Sequence, residues 1–153
     1  MPSDKQLRRL WNLSDEVLYP EAEAFLRRLI NELGCATLPA SQVMGLLNVA
    51  RTPVYNELVR FIRHQQERNW PESKKDIKIF YAELEKWLTA FRNKRLREVF
   101  DLERGNQEVD ELMALLAREY IQHLVAENGV IAVRRASART ATSIKKISRG
   151  SYD

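Results

Sequence analysis

Apolar residues recur three and four positions apart along nearly the whole chain, the spacing that places them on one face of an α-helix. The clearest run is Ile77, Phe80, Tyr81, Leu84, Trp87, Leu88 and Phe91. A face of this kind belongs against other helices. Upstream, Ser3 followed by Gln6 reads as a capping box for a short helix carrying Leu7, Leu10 and Trp11, and Tyr19 before Pro20 predicts a break. Pro20 suits the first position of a second helix, whose stripe of Ala22, Phe25, Leu26, Leu29, Ile30 and Leu33 is ended by Gly34. A third helix starts near Pro39 to Ser41 and runs through Val43, Leu46 and Leu47. A fourth starts at Thr52 and Pro53, turns Val54, Leu58, Phe61 and Ile62 inward, and stops before Pro71. After the fifth, a basic stretch of Arg92, Asn93, Lys94 and Arg95 leads to a short sixth helix with Leu96, Val99, Phe100 and Leu102, broken by Gly105 and Asn106. The last carries Val109, Leu112, Met113, Leu116, Tyr120 and Leu124, with Asn128 and Gly129 as its predicted stop. No segment alternates convincingly enough for a strand, although Val130 to Val133 is short and apolar. The pattern predicts an all-α fold, a single compact bundle of five to seven helices over residues 1–129.

Composition agrees and narrows the function. The 153 residues suit one domain, and five Gly and five Pro are too few for a turn-rich sandwich or barrel. Cys35 is the only cysteine and has no internal partner for a disulfide. With His64 and His123 the only histidines, no His/Cys zinc cage is available. No Gly-rich phosphate loop, metal-ligand spacing or nucleophile motif occurs, so the expectation is a non-enzyme with no cofactor and no metal. Cys35 reads as a small packing residue and His123 as a boundary residue near a helix end. The N-terminus has no apolar stretch of signal-peptide length, and the expected location is cytoplasmic, away from membranes.

Charge divides the chain. Residues 130–153 hold six basic residues and one acid, a net +5, while residues 1–129 hold 19 basic and 20 acidic residues, a net −1. The end of the chain therefore reads as a basic tail, disordered until a polyanionic partner orders it. Basic residues also gather on the helices: Arg60, Arg63, His64 and Arg68 on the fourth, and Arg92, Lys94, Arg95 and Arg97 after the fifth. Together with Arg134, Arg135, Arg139, Lys145 and Lys146 of the tail, these are the candidate nucleic-acid contacts. Guanidinium groups pair with phosphate oxygens two at a time and stack on bases. Glu57, Glu67, Glu83, Glu85 and Glu98 are interspersed among them, so the helical clusters fit a solvated helix surface equally well.

Two resemblances meet in this region. The run VMGLLNVARTPVYNEL resembles a helix-turn-helix, in which Arg51, Thr52, Tyr55 and Asn56 would face bases in the major groove. The run ASQVMGLLNVA, followed by ELVRFIRHQQERNW, resembles the small-subunit family of type III CRISPR effector complexes. The matching positions are Ser41, Gln42, Leu46, Leu47, Phe61, Ile62, Arg63, His64, Gln65 and Arg68. The second resemblance implies a non-catalytic protein that self-associates along a ribonucleoprotein filament beside other effector subunits. Arg60, Arg63, Arg68, Arg92 and Arg95 would then contact the backbones of guide RNA and target RNA, contributing affinity without sequence choice. A DNA-binding regulator is the alternative.

Overall fold

The computed structural model describes residues 2–102 and 106–150, excluding the side chains of 106 and 143–150. Helix α1 (Asp4–Leu13) starts as predicted. The Ser3 hydroxyl accepts from the Gln6 N–H at 3.1 Å, and the Gln6 side chain accepts from the Ser3 N–H at 2.8 Å. The predicted break at Tyr19 and Pro20 is absent. A π-helical turn (Ser14–Leu18) joins α1 to α2 (Tyr19–Arg27), and the Tyr19 N–H reaches back to the Ser14 carbonyl. Pro20 has no N–H and its ring crowds the preceding turn, so a locally widened helix accommodates it. A second π turn (Arg28–Glu32) completes this first rod. Gly34 then takes φ +68°, and the Cys35 N–H caps the Leu29 carbonyl at 2.9 Å. Left-handed glycine just past the last turn is the predicted stop.

Helix α3 (Ala40–Ala50) and helix α4 (Tyr55–Glu67) form a second pair. Residue 54 is outside α4, and Val54 is 50% exposed rather than turned inward. Leu58 and Ile62 are buried as predicted, with Phe61 partly so. A 3₁₀ turn (Glu72–Lys74) leads into α5 (Lys75–Ala90), which continues through a π turn (Phe91–Arg95) into α6 (Leu96–Phe100). Asp101 ends this rod in the left-handed conformation, φ 50°. The predicted break at Gly105 lies outside the described residues.

Helix α7 (Asn106–Gly150) is the fifth rod, 45 residues long. Its first half carries Val109, Leu112, Met113, Leu116, Ala117, Tyr120, Ile121 and Leu124, all buried, and both α2 and α3 pack against it. The α4 and α5 helices pack on one another. Trp87 bridges the layers: its ring stacks on Tyr120 at 3.5 Å and on Phe91 at 5.0 Å. Phe25 meets both Phe80 and Tyr120 edge-on, an arrangement that adds to area burial through the ring quadrupoles. The fold is all-α, and the described residues contain no strand.

The predicted stop at Asn128 and Gly129 is overturned, since α7 passes through both. The Asn128 amide is occupied elsewhere. It accepts from the Leu38 N–H at 2.8 Å and donates to the Leu38 carbonyl at 3.1 Å, pinning the segment before α3 to the helix. Gly129 tolerates helix geometry at a cost of about 1 kcal/mol relative to Ala. The boundary drawn at 129 is thus a change in burial and charge, with the helical backbone continuous across it. Val130 to Val133 is helical as well.

Candidate nucleic-acid interface

The basic residues of α4 divide into two groups. Arg63 is held: its Nε donates to Glu85 on α5 at 2.8 Å. Arg60 reaches Glu57 one turn before it, at 3.3 Å, with 77% of its side chain exposed. His64 is exposed beside them. Arg68 lies 4.2 Å above the Trp70 ring and donates to Gln65 at 3.1 Å. Trp70 in turn donates to the Gln65 carbonyl at 2.7 Å, so the end of α4 is fixed by a stacked cation over an anchored indole.

The second basic cluster lies in and after the π turn. Arg92 pairs with Asp110 on α7 at 2.8 Å, and Arg95 with Glu21 on α2 at 2.5 Å while covering the Phe91 ring at 4.8 Å. Both are clasps between rods. Lys94 is exposed and Arg97 half-exposed, and neither makes an ion pair among the described residues. Arg63 and Arg92 converge with Glu85 and Asp110 around Tyr55. Burial dominates there and raises the phenol to about 12, although the two guanidiniums pull the other way. Tyr55 is 6% exposed, so it does not face bases as the helix-turn-helix resemblance implies. Arg51 and Asn56 are exposed and Thr52 half-exposed.

Carboxylates on the other side of these clasps feel them. Burial alone would raise Glu85, but hydrogen bonds from Arg63 and Gln66 outweigh it and hold the carboxyl below its usual value. Glu83 behaves the same way, with burial overcome by Arg28 and Lys86.

On α7, Arg134 and Arg139 are exposed and Arg135 half-exposed, none with an ion pair among the described residues. Arg134 and Arg135 border a cleft shared with Tyr19, Glu23 and Arg27 of α2. Lys145 and Lys146 continue the same helix, but their side chains lie outside the described residues.

Sequence reasoning missed a polar cluster between the first rod and α7. The Ser14 hydroxyl lies 2.8 Å from His123 Nε2 and 3.1 Å from Glu119. Tyr19 meets the His123 ring edge-on at 5.3 Å. His123 is therefore in mid-helix and partly buried, not at a helix end. The Ser14 hydroxyl has one proton to share between these two partners. The three residues tie α7 to the first rod. Nothing local in the sequence marks residues separated by more than a hundred positions. Cys35 is buried as predicted, its thiol pushed up chiefly by burial.

Comparison with protein-family models, curated proteins and solved structures gives no match. No helix among the described residues is long and apolar enough to cross a membrane.

Proposed function

We propose that the chain is a non-catalytic RNA-associated subunit, of the kind its α3–α4 motif resembles in type III CRISPR effector complexes, binding phosphate backbones without sequence preference. The observation that carries this reading is the distal half of α7: Arg134, Arg135 and Arg139 project from a helix whose sequence has no acid between Val130 and Gly150. A regular cationic helix free of internal carboxylates follows a polyanion without reading bases. Arg60, His64, Arg68, Lys94 and Arg97 are available to extend such a surface. Arg63, Arg92 and Arg95 hold rods together and support it indirectly. Self-association and neighbouring effector subunits belong to the same proposal.

An electrophoretic comparison tests it. Single-stranded RNA is expected to bind without sequence preference and to weaken steeply with salt, log affinity falling by about 0.7 per neutralised phosphate. Tight selection of one duplex motif from a random DNA library would overturn the proposal. The burial of Tyr55, one of four residues the duplex-reading alternative needs exposed, speaks for the RNA reading.

A further inference from the structure

We infer that the cavity between the α3–α4 connection and α7 is a pocket for a single unstacked nucleobase with its phosphate, an inference that rests on the RNA-associated reading above. One wall is the face of α7 formed by Glu111, Ala114, Leu115 and Arg118. The other is Arg51, Thr52 and Pro53, and Pro2 also lines the cavity. None of the candidate residues drawn from the basic clusters lies in it.

Size, polarity and charge each narrow the ligand. The cavity holds about 210 Å³. This is below the roughly 300–1,000 Å³ of sites for drug-sized ligands, so one planar ring system fits and a stack of two does not. Pro53, Ala114 and Leu115 provide apolar surface of the kind on which a base face packs. Arg51 and Arg118, both exposed, bring a guanidinium from each wall, and neither makes an ion pair among the described residues. The two guanidiniums give the site its affinity for a phosphate oxygen, one from each wall. Guanidinium planes both stack on bases and fork onto phosphate oxygens, so the same two residues serve ring and backbone. The spacing of Glu111, Ala114, Leu115 and Arg118 places all four on one helical face, with Ala114 and Leu115 at its two edges. Strand affinity would come from the distal arm, and the pocket would hold one base in register.

The test uses the full-length protein and fluorescence anisotropy with two strands of equal length, one a mixed-sequence oligoribonucleotide and one with abasic residues on the same backbone. Wild type is expected to bind the base-bearing strand at least about fivefold more tightly, the low end of what stacking one base contributes. Arg51→Ala/Arg118→Ala should lose that preference and keep the affinity for the abasic strand. Arg134→Ala/Arg135→Ala/Arg139→Ala should weaken both strands and keep the preference. A 4-thiouridine-bearing strand should cross-link within residues 51–53 or 111–118. Equal wild-type affinity for the two strands, an unchanged preference in the Arg51/Arg118 variant, or cross-links confined to other segments overturns the pocket while leaving the RNA-associated reading standing. Failure of wild type to bind either strand overturns both. Because the replaced arginines are exposed, thermal melting of the variants should match wild type, and a lowered melting temperature would show that they hold the fold and not a ligand.

Discussion

The two halves of α7 have one backbone and opposite surroundings. From Val109 to Leu124 the helix is enclosed by α2, α3 and the first π turn, and nine of its side chains are buried. Beyond Gly129 it carries Val133 at 67% exposure, exposed Arg134 and Arg139, and a surface that is wholly exposed from Ala136 to Thr142. Helical hydrogen bonds are satisfied locally in both halves, so they do not distinguish core from arm. Burial does: each apolar side chain removed from water contributes about 1.5–3 kcal/mol, and the distal half has few to remove. A helix can therefore be structurally continuous and energetically divided, with the first half holding the fold and the second free to meet a partner.

Substitutions along α7 test that division most directly. Leu116→Ala, at a site with no exposure, should cost about 2–5 kcal/mol in urea unfolding, whereas Val133→Ala should stay within about 0.5 kcal/mol. Equal effects would erase the distinction between the halves. Asn128→Ala should cost about 2 kcal/mol, because it leaves both backbone groups of buried Leu38 without a partner. A smaller loss would show that water replaces the amide and that the junction is looser than its geometry implies.

The clasps predict a pH dependence confined to the body. The folded carboxyls of Glu83 and Glu85 lie below their unfolded value of about 4.3, so they bind protons less readily when folded. Their contribution is fully present above that value and is lost as pH falls through the lower folded pKa. Glu85→Gln should flatten part of the acid limb of a melting-temperature profile. The effect should stay under about 1 kcal/mol, since the Arg63 side chain is 65% exposed.

Two further measurements address the arm. Apart from its own helical turn, nothing lies within 4 Å of where a methyl group on residue 129 would sit, so Gly129→Ala should stabilise by about 0.5–1 kcal/mol and raise helical circular dichroism. A loss of stability would mean that glycine is needed there for motion or for close approach. Deleting 130–153 should change thermal stability least of all, yet reduce RNA affinity and flatten its salt slope by about 0.7 for each phosphate contact removed. A large fall in melting temperature would place the arm within the fold.

Much of the architecture was legible along the chain. The capping box at Ser3, the glycine stop at Gly34 and the buried face from Ile77 to Phe91 depend on neighbours within one or two turns, and all occur as predicted. The failures share a cause. Pro20 reads as a break, but a π turn absorbs its ring; Asn128 reads as a stop, but its amide is bound to Leu38, ninety residues away. Candidate contacts fared likewise. Residue type marked Arg63, Arg92 and Arg95 as binders of anions, and the anions they bind are Glu85, Asp110 and Glu21 on other rods.

By itself the sequence determined what short-range chemistry can decide: an all-α chain, its apolar faces, several helix ends, and a near-neutral body followed by a basic terminus. Tertiary structure decided which polar groups remain available. A guanidinium, an amide or a hydroxyl has the same bonding capacity wherever it stands, and only packing brings a second group within reach to satisfy it. That is why Arg134 and Arg139 are left without an ion pair among the described residues while Arg92 and Arg95 are clasped, and why a cavity between Arg51 and Arg118 exists at all.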